Sequence, residues 1–170
     1  MRMDVTSERG TTLIETVVAG GILCVLMAGL LGLIAVSTRA TENQGHLAAR
    51  TTEYAQDKVE QLVSLASTDV HSDTRTFPAG TSTGSGLAAG GSSDPNAPVA
   101  TYLDWLNANG DLLTSTGTTP PSNWYYKRVW LITDVTTHLK KITVTTTVAR
   151  TIGGDMAPST TLTVLKSNIY

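Results

Sequence analysis

A carboxylate, Glu15, stands at the mouth of an apolar run, just after the dipeptide Arg9-Gly10. Acids held in lipid are costly, roughly 2.5–3.5 kcal/mol at the centre of a span on insertion scales, so such a residue is read first as functional. A second group of possible chemistry is Asn107, Asn109 and Asp111, which alternate in Asn107-Ala108-Asn109-Gly110-Asp111. Their oxygens could serve a calcium ion, but the closing bidentate Glu of a calcium loop is missing and the segment is a strong turn signal. The reading here is a turn, with these three residues as the calcium candidate. His46, His71 and His138 lie far apart, without metal-ligand spacing. The single cysteine, Cys24, falls inside the apolar run. It allows no intramolecular disulfide and reads as a small buried residue. Asp104, Asp111, Asp134 and Asp155 fall near expected turns and strand ends, where solvation accounts for them. No nucleophile elbow, phosphate loop, HExxH or CxxC is present, so the reading is not an enzyme and implies no cofactor.

The elements that would position these residues begin with the apolar run. The 21 residues Thr16–Val36 carry no charge, and as a helix they would span about 31 Å, the thickness of a bilayer core. That is too long for the apolar region of an ordinary signal peptide, and no Ala-x-Ala site follows. Thr16, Gly20, Cys24, Ala28, Gly32 and Val36 recur at every fourth position and form one ridge of mostly small side chains. Small residues at this spacing let membrane helices approach closely. The helical pattern continues beyond Val36 and becomes amphipathic. Ala48, Ala55, Val59, Leu62 and Ala66 form the apolar stripe, with Leu47, Tyr54 and Leu65 beside it, while Arg50, Glu53, Asp57, Lys58 and Glu60 occupy the polar face. No proline interrupts residues 11–70, which predicts one helix from about Thr12 to Ser67.

The remainder is different in character. Residues 68–98 are rich in Thr, Ser, Gly, Ala and Pro, and Thr81–Ser93 reads as loop. Tyr102–Leu106 is a short ordered piece before the turn. From Trp124 the pattern becomes β: Trp124–Val135, Lys141–Arg150 and Thr160–Lys166 read as strands, with Gly153–Pro158 as the breaker before the last. Ile142, Val144 and Val148 are expected on one face, and Thr143, Thr145 and Thr147 on the other. Three strands with short connections predict an antiparallel meander, one face on the helix and the other partly solvated. The fold class is α+β. The aromatic residues of these strands are read as core. A net charge of −2 gives no electrostatic case for nucleic acid.

Arg9-Gly10 followed by Thr12-Leu13-Ile14-Glu15 and an uncharged run resembles the class III signal of type IV prepilins and type II secretion pseudopilins. The stretches Ala55–Leu62, Tyr125–Trp130 and Leu139–Val144 resemble PilV-type minor pilins. This resemblance implies a type IV pilin fold and cutting by a prepilin peptidase between Gly10 and Thr11. Thr11 would then carry the methylated N-terminus, where the family usually has Phe. Glu15 would be the fifth mature residue. A Glu15 carboxylate buried in a filament core needs a partner, and the freed amine of a neighbouring subunit is the candidate. The implied divisions are a leader (1–10), a transmembrane and filament-core helix (11–37), an amphipathic helix half (38–67), a variable region (68–123) and an antiparallel sheet (124–170).

The implied partners are prepilin peptidase, other pilins or pseudopilins of the same filament, an inner-membrane assembly platform, and membrane lipid before assembly. The implied topology is a single pass of the inner membrane, with the leader cytoplasmic, the sheet outside, and a surface or periplasmic filament after assembly. The implied role is a minor pilin that primes assembly or sits near the tip. A minor pseudopilin of a type II secretion system and a non-filament membrane-anchored adhesin are the alternatives.

Overall fold

The computed structural model describes residues 8–81, 83–115, 117–149 and 157–168. Most of the leader and residues 153–156 of the expected breaker lie outside them. The element order is α1 (Glu8–Ser64), β1 (Gly90–Gly91), β2 (Leu103–Leu106), β3 (Leu112–Leu113), β4 (Tyr126–Thr136), β5 (Leu139–Val148) and β6 (Ser159–Ser167). The chain divides into two compact units, Met1–Glu42 and Asn43–Tyr170.

The first unit is helical from Glu8 onward, one turn earlier than the sequence pattern predicts, because nothing between Glu8 and Thr12 obstructs helical geometry. Its described side chains are exposed all round, Leu13 at 67% and Leu31 at 66% among them. Its hydroxyls close on the helix itself: Thr16 donates to the carbonyl of Thr12 at 2.8 Å, and Thr38 to that of Ile34 at 2.9 Å. Such internal closure suits an environment without water. This stretch is long and apolar enough to cross a membrane, consistent with a single-pass anchor.

The second unit holds the rest of α1 and a six-stranded antiparallel sheet. The main path runs β3-β2-β4-β5-β6, and β1 pairs with β4. β2 and β1 share one edge of β4 end to end, Leu103–Leu106 opposite Val129–Tyr126 and Gly90–Gly91 opposite Ile132–Leu131. The helix buries Thr51, Tyr54, Ala55, Lys58 and Leu62, a stripe at three- and four-residue steps. This stripe is rotated from the expected one: Ala48 and Ala66 are exposed, and Lys58, assigned from sequence to the polar face, is in the core. Ala55 and Leu62 pack with Leu87, Tyr102, Trp130, Ile132, Ile142 and Val144. Tyr54 packs with Leu106, Tyr126 and Val148 in a second cluster.

Three further differences from the sequence reading have physical causes. Thr81–Ser93 is not simply loop: Leu87 is fully buried and Gly90–Gly91 forms a strand. At Gly91 φ is +91°, and an added Cβ would lie 2.1 Å from the Trp130 carbonyl oxygen, so only glycine lets the backbones close. The outer face of the sheet also carries an apolar cluster. Leu103, Trp105 and Val129 are buried there under Leu113 and Trp124, with Trp105 and Trp124 edge to face at 4.8 Å. Finally, α1 stops at Ser64 rather than Ser67. The Leu65 amide turns back to the Leu62 carbonyl at 3.3 Å, and Lys166 of β6 donates to the Val63 carbonyl at 2.6 Å, supplying a cation where a helix C-terminus favours one.

Candidate functional site

Gly10 and Thr11 lie within α1, and Glu15 follows on the same helix. Glu15 shares an open surface with Ile14, Val18, Ala19 and Ile22, so a carboxylate is displayed among aliphatic side chains. Cys24 is likewise exposed. At Gly20, Gly21, Gly29 and Gly32 an added Cβ would meet nothing within 4 Å. The chain's own packing therefore gives no reason for glycine at these four positions, although each weakens a helix by about 1 kcal/mol relative to Ala in water.

The turn segment is held by its own side chains. Asn107 Oδ1 accepts from the Asn109 amide at 2.8 Å and the Asp111 amide at 2.9 Å, and its Nδ2 donates to Asp111 Oδ2 at 2.9 Å. Gly110, at φ +92°, completes the turn. The amide and acid singled out for calcium are thus committed to turn geometry, and a cation would have to displace those bonds. No group of three His, Cys, Asp or Glu among the described residues is placed to hold a metal ion.

A charged cluster that the sequence reading missed lies in the second unit. Asp104 is 3% exposed, so solvation does not account for it, contrary to expectation. Its carboxylate takes a forked pair of bonds from Arg128, Nε to Oδ1 at 2.7 Å and Nη2 to Oδ2 at 2.8 Å. Lys58 Nζ reaches the same Oδ2 at 2.8 Å. Lys58 also donates to the Thr74 carbonyl and, at 3.4 Å, to Gln61 Oε1. All three ammonium donors are thereby used. The ammonium lies 4.1 Å from the centre of the Trp130 ring, a cation–π position. Arg128 Nη1 reaches the Tyr54 carbonyl at 3.4 Å.

Two cations and one anion leave the cluster one positive charge in excess. Burial drives the Lys58 ammonium down from 10.5 to about 8, Asp104 opposing and Arg128 reinforcing that shift. Burial alone would raise the Asp104 carboxyl, but Arg128 and then Lys58 outweigh it and hold the group below 3.8. The Lys58 side chain has no exposed surface, so a carbonyl substrate has no route to it. The arrangement joins helix, β2, β4 and the Thr74 segment.

Comparison of this chain with protein-family models, curated proteins and solved structures finds no match. The class is defined by architecture: an α+β chain in which one long helix, apolar and exposed through its first half, leads into an antiparallel sheet.

Proposed function

We propose that the chain is a minor pilin-like structural subunit of a type IV pilus, processed by prepilin peptidase and assembled through its N-terminal helix. One observation carries this reading. Arg9-Gly10 and Glu15 open a helix whose first half is apolar on every side, and Gly20, Gly21, Gly29 and Gly32 in that half meet no other described part of the chain. A helix apolar all round belongs in lipid or in a protein core, and a filament subunit occupies both in turn. In the filament Glu15 would pair with the α-amine of a neighbouring Thr11, which satisfies the charge and sets axial register. The subunit has no catalytic role in this reading; it primes assembly or sits near the tip, with the sheet unit outside the inner membrane. A minor pseudopilin of type II secretion would use the same helix in a different machine, and co-purifying subunits separate the two.

N-terminal sequencing of protein extracted from membranes tests the proposal. A mature chain that starts at methylated Thr11 supports it. A chain retaining Met1 favours a plain anchor carrying an adhesin-like domain and defeats it.

A further inference from the structure

β6 is the open edge of the sheet, and nothing among the described residues pairs with its outer side. Its nine residues run against β5 without a register shift, and no proline interrupts them. The opposite edge ends in β3, only two residues long. Native sheets ordinarily blunt an edge with short strands, prolines, bulges or charges. β6 carries the charge of Lys166 alone, and that ammonium is turned onto the Val63 carbonyl at 2.6 Å.

The direction of the free backbone groups follows from the end of the strand. The Asn168 amide donates to the His138 carbonyl at 2.7 Å. In an antiparallel ladder this turns the amides and carbonyls of Thr160, Leu162, Val164 and Lys166 toward β5. Those of Ser159, Thr161, Thr163, Leu165 and Ser167 point outward, and the side chains of these residues are exposed. A row of alternating donors and acceptors at strand spacing fits another extended backbone.

The order of residues selects which backbone. Thr163 is the middle of β6 and one of its outward-facing residues. A second β6, antiparallel and centred on Thr163, sets Ser159 against Ser167 and Thr161 against Leu165 on one face. On the other it sets Leu162 against Val164 and Thr160 against Lys166. The outward groups of both strands then face each other along the whole length. Apolar Leu162 meets apolar Val164, and Lys166 never faces its own copy.

We propose that β6 pairs with β6 of a second copy of this chain about a two-fold axis at Thr163, joining the two sheets into one. That axis stands perpendicular to the sheet. α1 runs alongside β6 in the same direction, with Thr51 and Thr52 bonded to Thr160 and the Val63 carbonyl to Lys166. Pairing therefore sets the two α1 segments antiparallel, and their N-terminal ends leave in opposite directions. Such a contact joins copies anchored in facing surfaces, not neighbours in one membrane. A single strand pair buries little area and is weak alone, whereas many copies on each surface make it strong. The inference rests on the sheet unit and holds whether or not the chain enters a filament.

Cysteine cross-linking tests it on the full chain, in a Cys24→Ser background, in phosphatidylcholine vesicles. Two vesicle preparations whose chains carry different affinity tags are mixed and oxidised. Facing residues with outward groups bring their Cα atoms to about 5.5 Å, within reach of a disulfide. Thr163→Cys is expected to give dimers that carry both tags. Ser167→Cys, also exposed but about 27 Å from its own copy, should give at least about tenfold fewer. Leu165→Pro, added to Thr163→Cys, removes an outward amide and no bond to β5. It should lower the yield about fivefold or more, with circular dichroism in detergent showing the sheet intact. An absence of dimers, equal yields from Thr163→Cys and Ser167→Cys, or no loss on adding Leu165→Pro overturns the proposal. Dimers that carry one tag only also overturn it, by placing the contact between neighbours in one membrane.

Discussion

Lys58 and Asp104 are 46 residues apart in the chain, and their charged atoms meet at 2.8 Å where neither side chain has appreciable contact with water. Arg128 closes on the same carboxylate from β4. The three members are not equivalent, because only Asp104 is negative. Removing it leaves two buried cations facing each other, whereas removing Lys58 leaves a neutral forked pair. Breaking a buried pair by taking one partner costs about 3–5 kcal/mol because it leaves an uncompensated buried charge, and only the loss of Asp104 leaves one here. Asp104→Ala should therefore lose at least that amount, and Lys58→Met should lose clearly less at pH 7. Urea unfolding followed by tryptophan fluorescence measures both. Equal losses in the two variants would show that the excess charge is not the governing quantity.

The same cluster predicts a pH dependence. Lys58 titrates near 8 in the folded chain against 10.5 when unfolded, so between those values the unfolded state binds more protons and stability rises with pH. The cost of holding the ammonium buried is fully present below about 8 and is relieved above it. Asp104 acts at the other end. Its carboxyl is held below 3.8, so its contribution is present above that value and is lost as pH falls through the folded value. Lys127 shifts in the same sense as Lys58, whereas Tyr126 opposes them above 10. The test is therefore the difference between wild type and Lys58→Met. The gap between their urea midpoints should change as pH rises from 7 to 10, wild type gaining stability relative to Lys58→Met; a difference independent of pH would refute the assignment to Lys58.

The sequence shows why part of this was legible and part was not. The long helix follows from a run without proline, and β4, β5 and β6 follow from alternation around Ile142, Val144 and Leu162. The turn at Asn107 was readable because its bonds are local. Lys58 and Asp104 read as solvated from sequence because a charge in an amphipathic pattern or near a turn is ordinarily a surface residue, and no motif singles out Arg128. Their partners come from other elements, which local spacing does not reveal. A signal was nonetheless present: Asp104 sits inside Tyr102-Leu103-Asp104-Trp105-Leu106, and Arg128 alternates with Tyr126 and Trp130 on one face. Gly90–Gly91 was hidden for the opposite reason, since glycine is depleted in strands and only the approach of β4 explains it there.

Gly91 gives a third prediction. Alanine at this position must adopt φ +91° with its Cβ 2.1 Å from the Trp130 carbonyl, which is backbone and cannot swing aside. The β1–β4 pairing should open, exposing Tyr102, whose ring atoms lie against the same glycine. Positive-φ strain alone is of order 1–3 kcal/mol, and the lost pairing adds to it. By contrast Gly117, where an added Cβ meets nothing within 4 Å, should accept alanine within about 0.5 kcal/mol. Thermal unfolding of the two variants decides between a local steric requirement and a general need for flexible loops.

Glu15 supplies the last prediction, and it separates insertion from assembly. The residue lies at the edge of the apolar run and is exposed in this chain, so no intramolecular bond depends on it among the described residues. Glu15→Gln keeps the size and removes the charge. It should leave membrane insertion unchanged, because a neutral side chain enters lipid more readily than an ionised one, and it should leave processing after Gly10 unchanged. If the carboxylate pairs with a neighbouring N-terminal amine, Gln leaves that amine uncompensated in a dry core, and incorporation should fall by at least about tenfold, the equivalent of 1.4 kcal/mol. Fractionation of sheared filaments against membranes, with N-terminal sequencing of both pools, reads insertion, cutting and incorporation together. Normal incorporation of the Gln variant would mean that the acid is solvated at the headgroup level and that register is set by the small-residue face of the helix instead.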